Sequence, residues 1–269
     1  MKNASKLLAA LLLSGLSSGI SCFASEEERH IIAASELSGL FTLRQPGLGS
    51  TVVFDGAYYQ LLRNVLEAAG LAKQYRIEVM PAKRAKLEFI KGNAACYAPG
   101  LQTFSPDELA LAPDTVVSSL SFNRAKVRVI SATARRLVSG INDIRRSDVI
   151  SLVYGVPVNA EMQHMLDRAR DSVMVNSEVD SLKLLRSGRV DLILAFYPDV
   201  IFAYQELGIS DEYPFDKSYS PLQINDNVVC HLQHKDAIDA INIKLAQYQQ
   251  NGTLQRILGP LYIAPAESN

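Results

Sequence analysis

The stretch Ser181–Asp199 (SLKLLRSGRVDLILAFYPD) most constrains what this chain can fold into, because a weaker copy of it lies about ninety residues earlier. Leu182 and Leu185 fall three apart on one helical face, and Gly188 stands where a helix needs a left-handed stop. The apolar run that follows, ending at Phe196, is typical of a strand covered on both faces. In the earlier copy, Arg84–Ala98 (RAKLEFIKGNAACYA), Leu87 and Ile90 occupy the helix, Gly92 is the stop, and a short apolar strand comes next. Two helix–glycine–buried-strand units predict two similar α/β lobes.

Met1–Ala24 reads as an export signal and is excluded from the fold. Lys2 and Lys6 supply the positive start, Leu7–Leu13 the short apolar centre, and Cys22-Phe23-Ala24 a small-x-small site before Ser25. A lipid-anchor site at Cys22 is the alternative, but the usual Leu upstream is absent. The remaining length, about 245 residues, is enough for two lobes with a core each. Without Lys2 and Lys6 the chain has 25 basic against 28 acidic side chains, a net charge near −3. That gives no electrostatic case for nucleic acid as a partner. The absence of Trp counts mildly against a sugar site.

Cys96 and Cys230 are the cysteines left after cleavage; they form either one disulfide or two buried strand thiols. Cys230-His231 with His234 superficially resembles a metal cluster, but its neighbours Val228, Val229 and Leu232 read as a strand and turn. Neither a metal nor a cofactor is expected. Strands are expected at His30–Ser35, Tyr75–Met80, Ala125–Ser131, Val149–Tyr154 and Asn227–Leu232. Amphipathic helices are expected at Tyr58–Ala69, from Pro81 to Lys91, from Ala160 to Ala169, at Val200–Leu207 and at Ala237–Gln250. Leu37–Val53 reads as a Gly-rich loop containing Pro46, Gly47 and Gly49, and Gly100–Asp114 as a polar loop. Strands alternating with helices imply parallel sheets. No compositional linker divides the lobes, so the chain is expected to cross between them twice.

The chain resembles the bacterial periplasmic solute-binding proteins of the type II fold, in the extracellular solute-binding family 3 that serves polar amino-acid ABC transporters. Four places carry the resemblance: MPAKRA (Met80–Ala85) with its helix and Gly92; INDIRRSDVIS (Ile141–Ser151) with Gly155; Leu182–Asp191; and DAINIKLAQYQQNGTLQRIL (Asp239–Leu258). It implies a first lobe of residues 25–122 plus 220–269, an inserted second lobe of 123–219, and a ligand cleft between them. It also implies a monomer that docks an inner-membrane permease, or a membrane sensor, and carries no catalytic activity.

Two anchors of the family's amino-acid binders are not where the resemblance puts them. Glu108 stands at the carboxylate-binding arginine, and Phe196 at the acid that holds the ammonium, with Asp199 a little further on. The replacement candidates are Arg84 at a helix start, Tyr97, Phe196 and Tyr197 at carboxyl ends of strands, and Tyr58 at a helix start. Tyr154 and Asn159, flanking a helix N-terminus, form the expected anion cradle. The sequence reading is therefore a small polar or aromatic anion. Glu108 is the one candidate acid if the chain were instead a dehydratase-like enzyme.

Overall fold

The computed structural model describes residues 29–44, 52–133 and 136–265. The expected export signal, and Pro46, Gly47 and Gly49 of the expected loop, lie outside the described residues. The chain begins with β1 (His30–Ser35), β2 (Thr42–Arg44), β3 (Val53–Asp55) and α1 (Ala57–Ala68), then β4 (Tyr75–Met80), α2 (Ala82–Ile90) and β5 (Cys96–Ala98). α3 (Pro106–Leu111) and β6 (Val116–Ser118) precede the long β7 (Asn123–Ser131). Next come β8 (Val149–Val153), α4 (Ala160–Arg168), β9 (Asp171–Val175), α5 (Glu178–Arg186), β10 (Leu192–Tyr197), α6 (Asp199–Glu206) and β11 (Gln223–Asp226). β12 (Val229–His231), α7 (Lys235–Gln250) and α8 (Thr253–Leu258) come last.

Two five-stranded sheets organise these elements, in the orders β4-β1-β5-β12-β6 and β11-β7-β10-β8-β9. Each is a three-layer α/β lobe with its own cores. In the first, α1, α7 and α8 bury Leu61, Val65, Ile241 and Leu254 on one face, while α2 seats Ala85 and Phe89 against Tyr97 on the other. In the second, Met162 and Met165 of α4 cover one face, and Leu182, Leu185, Val200 and Ala203 of α5 and α6 the other. The repeated unit appears as expected. β10 is buried along its whole length, and Gly188 and Gly92 take left-handed φ of 68° and 75° as helix stops.

The sheets are mainly parallel, as expected, each with one strand running against the others. β1 runs parallel with β4 and β5, and β8 with β9 and β10. β7 is antiparallel to β10 and β11, and β12 to β5 and β6. These antiparallel strands are the ones that follow a crossing between lobes, so no crossover helix sets their direction. Gln223–Asp226, which a boundary at Ser220 assigns to the first lobe, is hydrogen-bonded to β7 in the second sheet. On α2 the inward face is Ala85, Lys86 and Phe89; Leu87 turns out and is exposed. α3 replaces part of the expected polar loop, started by a capping box in which Ser105 and Glu108 satisfy each other's backbone N–H.

Cys96 and Cys230 are register partners on β5 and β12 and are joined in a buried disulfide, with Cα atoms 4.0 Å apart and a sequence separation of 134. The bridge therefore spans the whole second lobe and ties the two ends of the first. Replacing both cysteines with alanine should cost about 2–5 kcal/mol of unfolding free energy, measured in urea. An unchanged midpoint and slope would contradict that role.

Candidate functional site

Between the sheets lies a cleft of about 880 Å³. The first lobe contributes Ser35 at the end of β1, the turn Leu37–Thr42, Pro81 and Ala82 after β4, and Tyr97 and Pro99 at the end of β5. The second contributes Val153–Pro157 after β8, Asn176 and Ser177 after β9, and Phe196, Asp199 and Phe202 at the end of β10 and on α6. Ala125, Ile224 and Asp226 of the crossing strands also line it. The cleft thus sits at the carboxyl ends of the parallel strands, where helix N-termini and loops converge.

The lobes touch across it. Lys83 on α2 donates to the Tyr154 hydroxyl at 2.6 Å, joining the two rims at an exposed position. Deeper in, the Phe202 ring from α6 lies so close to Gly39 that a β-carbon there would fall 2.2 Å from it. Gly39 also has a left-handed φ of 70°, so this contact needs glycine on both counts.

At the strand crossings, Asn123 on β7 and Asp226 on β11 are register partners. Tyr58, fully buried on α1, donates its hydroxyl to Asp226 Oδ2 at 2.6 Å and accepts from Asn123 Nδ2 at 2.5 Å. Asn123 also donates to the Leu261 carbonyl at 3.1 Å and accepts from the Ile263 N–H at 2.7 Å. Burial pushes the Asp226 carboxyl up to about 7, although the Tyr58 hydrogen bond pulls the other way. Burial likewise pushes Asp199 well above the carboxylate range, and the nearby Glu178 and Asp226 push it further. Glu178, on the first turn of α5, is raised to about 8 by burial even though Oε1 accepts the Phe196 N–H at 2.9 Å. Its Oε2 is buried without a hydrogen-bond partner among the described residues.

The buried cation on the cleft wall is Lys86. It donates to Glu108 Oε2 at 2.8 Å and to the Thr103 carbonyl at 2.7 Å. Burial alone would raise Glu108, but the Lys86 ammonium and the Ser105 N–H outweigh it and hold the carboxyl below its ordinary value.

No known sequence family matches the chain, and no curated protein sequence matches it. Its architecture does have solved counterparts. The substrate-binding protein of an amino acid ABC transporter superposes with a TM-score of 0.61 at 14% identity, over 87% of this chain and 98% of that one. An amino acid ABC transporter substrate-binding protein from Streptococcus pneumoniae, bound to L-arginine, gives 0.62 at 12%, over 86% and 92%. A histidine kinase sensor domain with similarity to periplasmic binding proteins gives 0.63 at 12%, over 88% and 96%. The chain has the type II periplasmic-binding fold.

Within that fold the residues expected at the site separate. Tyr97, Tyr154 and Phe196 line the cleft. Tyr97 is fully buried, its hydroxyl 2.7 Å from Ser35 Oγ and 2.9 Å from Thr103 Oγ1, so its edge belongs to the wall. Arg84 does not line the cleft: with Ala85, Lys86 and Phe89 facing inward, it turns to solvent. Tyr197 does not either, because side chains alternate along β10. Phe196 shares the α4 face with Leu192 and Leu194, whereas Tyr197 shares the α5–α6 face and bonds Glu212 at 3.0 Å. Asn159 does not line the cleft; it is a helix cap, accepting the Met162 N–H and donating to the Pro221 carbonyl. Tyr58 acts from behind, through Asp226. Sequence reasoning passes over Lys86, Asp226 and Phe202, and names Asp199 only as standing a little beyond the expected acid position, whereas it lines the cleft.

Glu178 gives a pH signature. The folded state holds its proton up to about 8, the unfolded chain only to the ordinary 4.5. Between those values the native state binds more protons, so this group's contribution to stability falls as pH rises. Glu178→Gln should therefore gain a few degrees in melting temperature relative to wild type between pH 5 and pH 8. A difference that stays constant over this range would contradict the assignment.

Proposed function

We propose that the protein is an exported solute receptor: its lobes close on a small organic molecule, which it hands to an inner-membrane permease or reports to a membrane sensor. The observation that carries this reading is the cleft itself, about 880 Å³ at the strand ends of two lobes that touch at Lys83–Tyr154 and Gly39–Phe202. A volume of that size suits a small organic molecule. Phe196, Phe202 and Phe41 supply its apolar surface.

The disulfide fits an oxidising compartment, and Met1–Ala24 is read as the export signal. Among the described residues no helix is long and apolar enough to cross a membrane. The reading is non-catalytic and monomeric. Glu108, the acid named for a dehydratase-like reaction, is committed to Lys86 and held ionised, which suits structure rather than proton donation. An anionic solute is not the reading supported here, because Asp199 and Asp226, buried ionisable groups of the cleft without a basic partner among the described residues, are carboxyls.

A thermal-shift screen against amines, amino acids, carboxylates and sugars tests the receptor reading. A ligand at about 100 times its dissociation constant should add about 2.7 kcal/mol, and it should be recovered chemically unchanged. Gly39→Ala, which forces Phe202 away, should weaken that ligand by about tenfold or more by disfavouring the closed state. Silence across the whole library, or turnover of the ligand, would contradict the proposal.

A further inference from the structure

We propose that the cleft selects a small organic amine, bound as its N–H-bearing cation and lacking an adjacent carboxylate; this rests on the receptor reading above. Asp199 lines the cleft and is only 9% exposed. Beyond its own backbone N–H, its carboxyl has no hydrogen-bond or cation partner among the described residues. Asp226 lines the same space, and the Tyr58 hydroxyl, a neutral donor, is its side-chain partner. Glu178 stands close enough to Asp199 to act on it electrostatically, and its Oε2 is buried without a hydrogen-bond partner among the described residues. Buried carboxylates without a counter-charge are costly, and a cation entering the cleft supplies one.

The other charges leave this imbalance in place. Lys86 is neutralised by Glu108, and Glu36, Arg44 and Glu206 are exposed lining residues. A carboxylate on the carbon next to the amine would face Asp199 and Asp226 with no free buried cation among the described residues to receive it. A bare metal ion is disfavoured by the size of the cleft and by its phenylalanine lining. A quaternary ammonium has no N–H to give to carboxylate acceptors.

Titration calorimetry with matched pairs tests the assignment: agmatine against arginine, tyramine against tyrosine, 1,5-diaminopentane against lysine. At least one amine should bind, and its parent amino acid should bind about tenfold or more weakly. Asp199→Asn should weaken that amine by about tenfold or more, with Asp226→Asn as a second variant that keeps an acceptor for Tyr58. The exposed Arg84→Gln should leave affinity unchanged. Tighter binding of an amino acid than of its amine would overturn the amine assignment, as would a folded Asp199→Asn protein with wild-type affinity. The receptor reading would survive either result. Silence from every amine overturns the assignment too; silence from the wider library of amines, amino acids, carboxylates and sugars removes the receptor reading with it.

Discussion

The Tyr58 hydroxyl, held between Asp226 and Asn123, is the contact on which the arrangement of the two lobes depends. Asn123 starts the first strand after the outward crossing, and Asp226 ends the last strand before the return. Fastening both to α1 pins the crossings to the core of the first lobe. Asn123 also holds the segment that follows α8, through the Leu261 carbonyl and the Ile263 N–H. The lobe closure proposed above would pivot close to this network, as a hinge rather than a shear.

The same network puts a carboxyl into the ligand space. Asp226 meets Tyr58 on one side and lines the cleft on the other, so cleft occupancy and hinge geometry share one group. Asp199 reaches the cleft from α6, the helix whose Phe202 packs on Gly39. A cation between the two carboxyls would draw the α6 side toward the crossing strands and favour the closed arrangement. Ligand chemistry and closure are thereby coupled through two side chains.

Much of the fold is legible in local pattern. The helix–glycine–strand units around Gly92 and Gly188 and the apolar stripe of α1 follow from periodicity and stop signals that neighbouring residues carry, while the two-crossing topology rests on the absence of a compositional linker and on the family resemblance. α3 escapes that reading although Ser105 and Glu108 spell its capping box, because the surrounding polar residues suggest a loop. The site is less legible, for reasons of tertiary structure. An all-apolar strand cannot say which parity faces the cleft, so Phe196 and Tyr197 are indistinguishable until α4 and α6 are in place. Lys86 reads as a surface lysine until Glu108, 22 residues away, is folded against it. Asp226 becomes a cleft acid only because a strand from the far end of the second lobe pairs with β7.

The most direct test of the account is a crystal structure of the protein with a bound amine such as agmatine or tyramine. The account predicts one molecule between the lobes, with its protonated nitrogen within hydrogen-bond distance, about 2.7–3.2 Å, of an Asp199 carboxylate oxygen. A molecule whose charged nitrogen points to solvent, or whose polar group sits on Lys86 with Asp199 left unpaired, would contradict it.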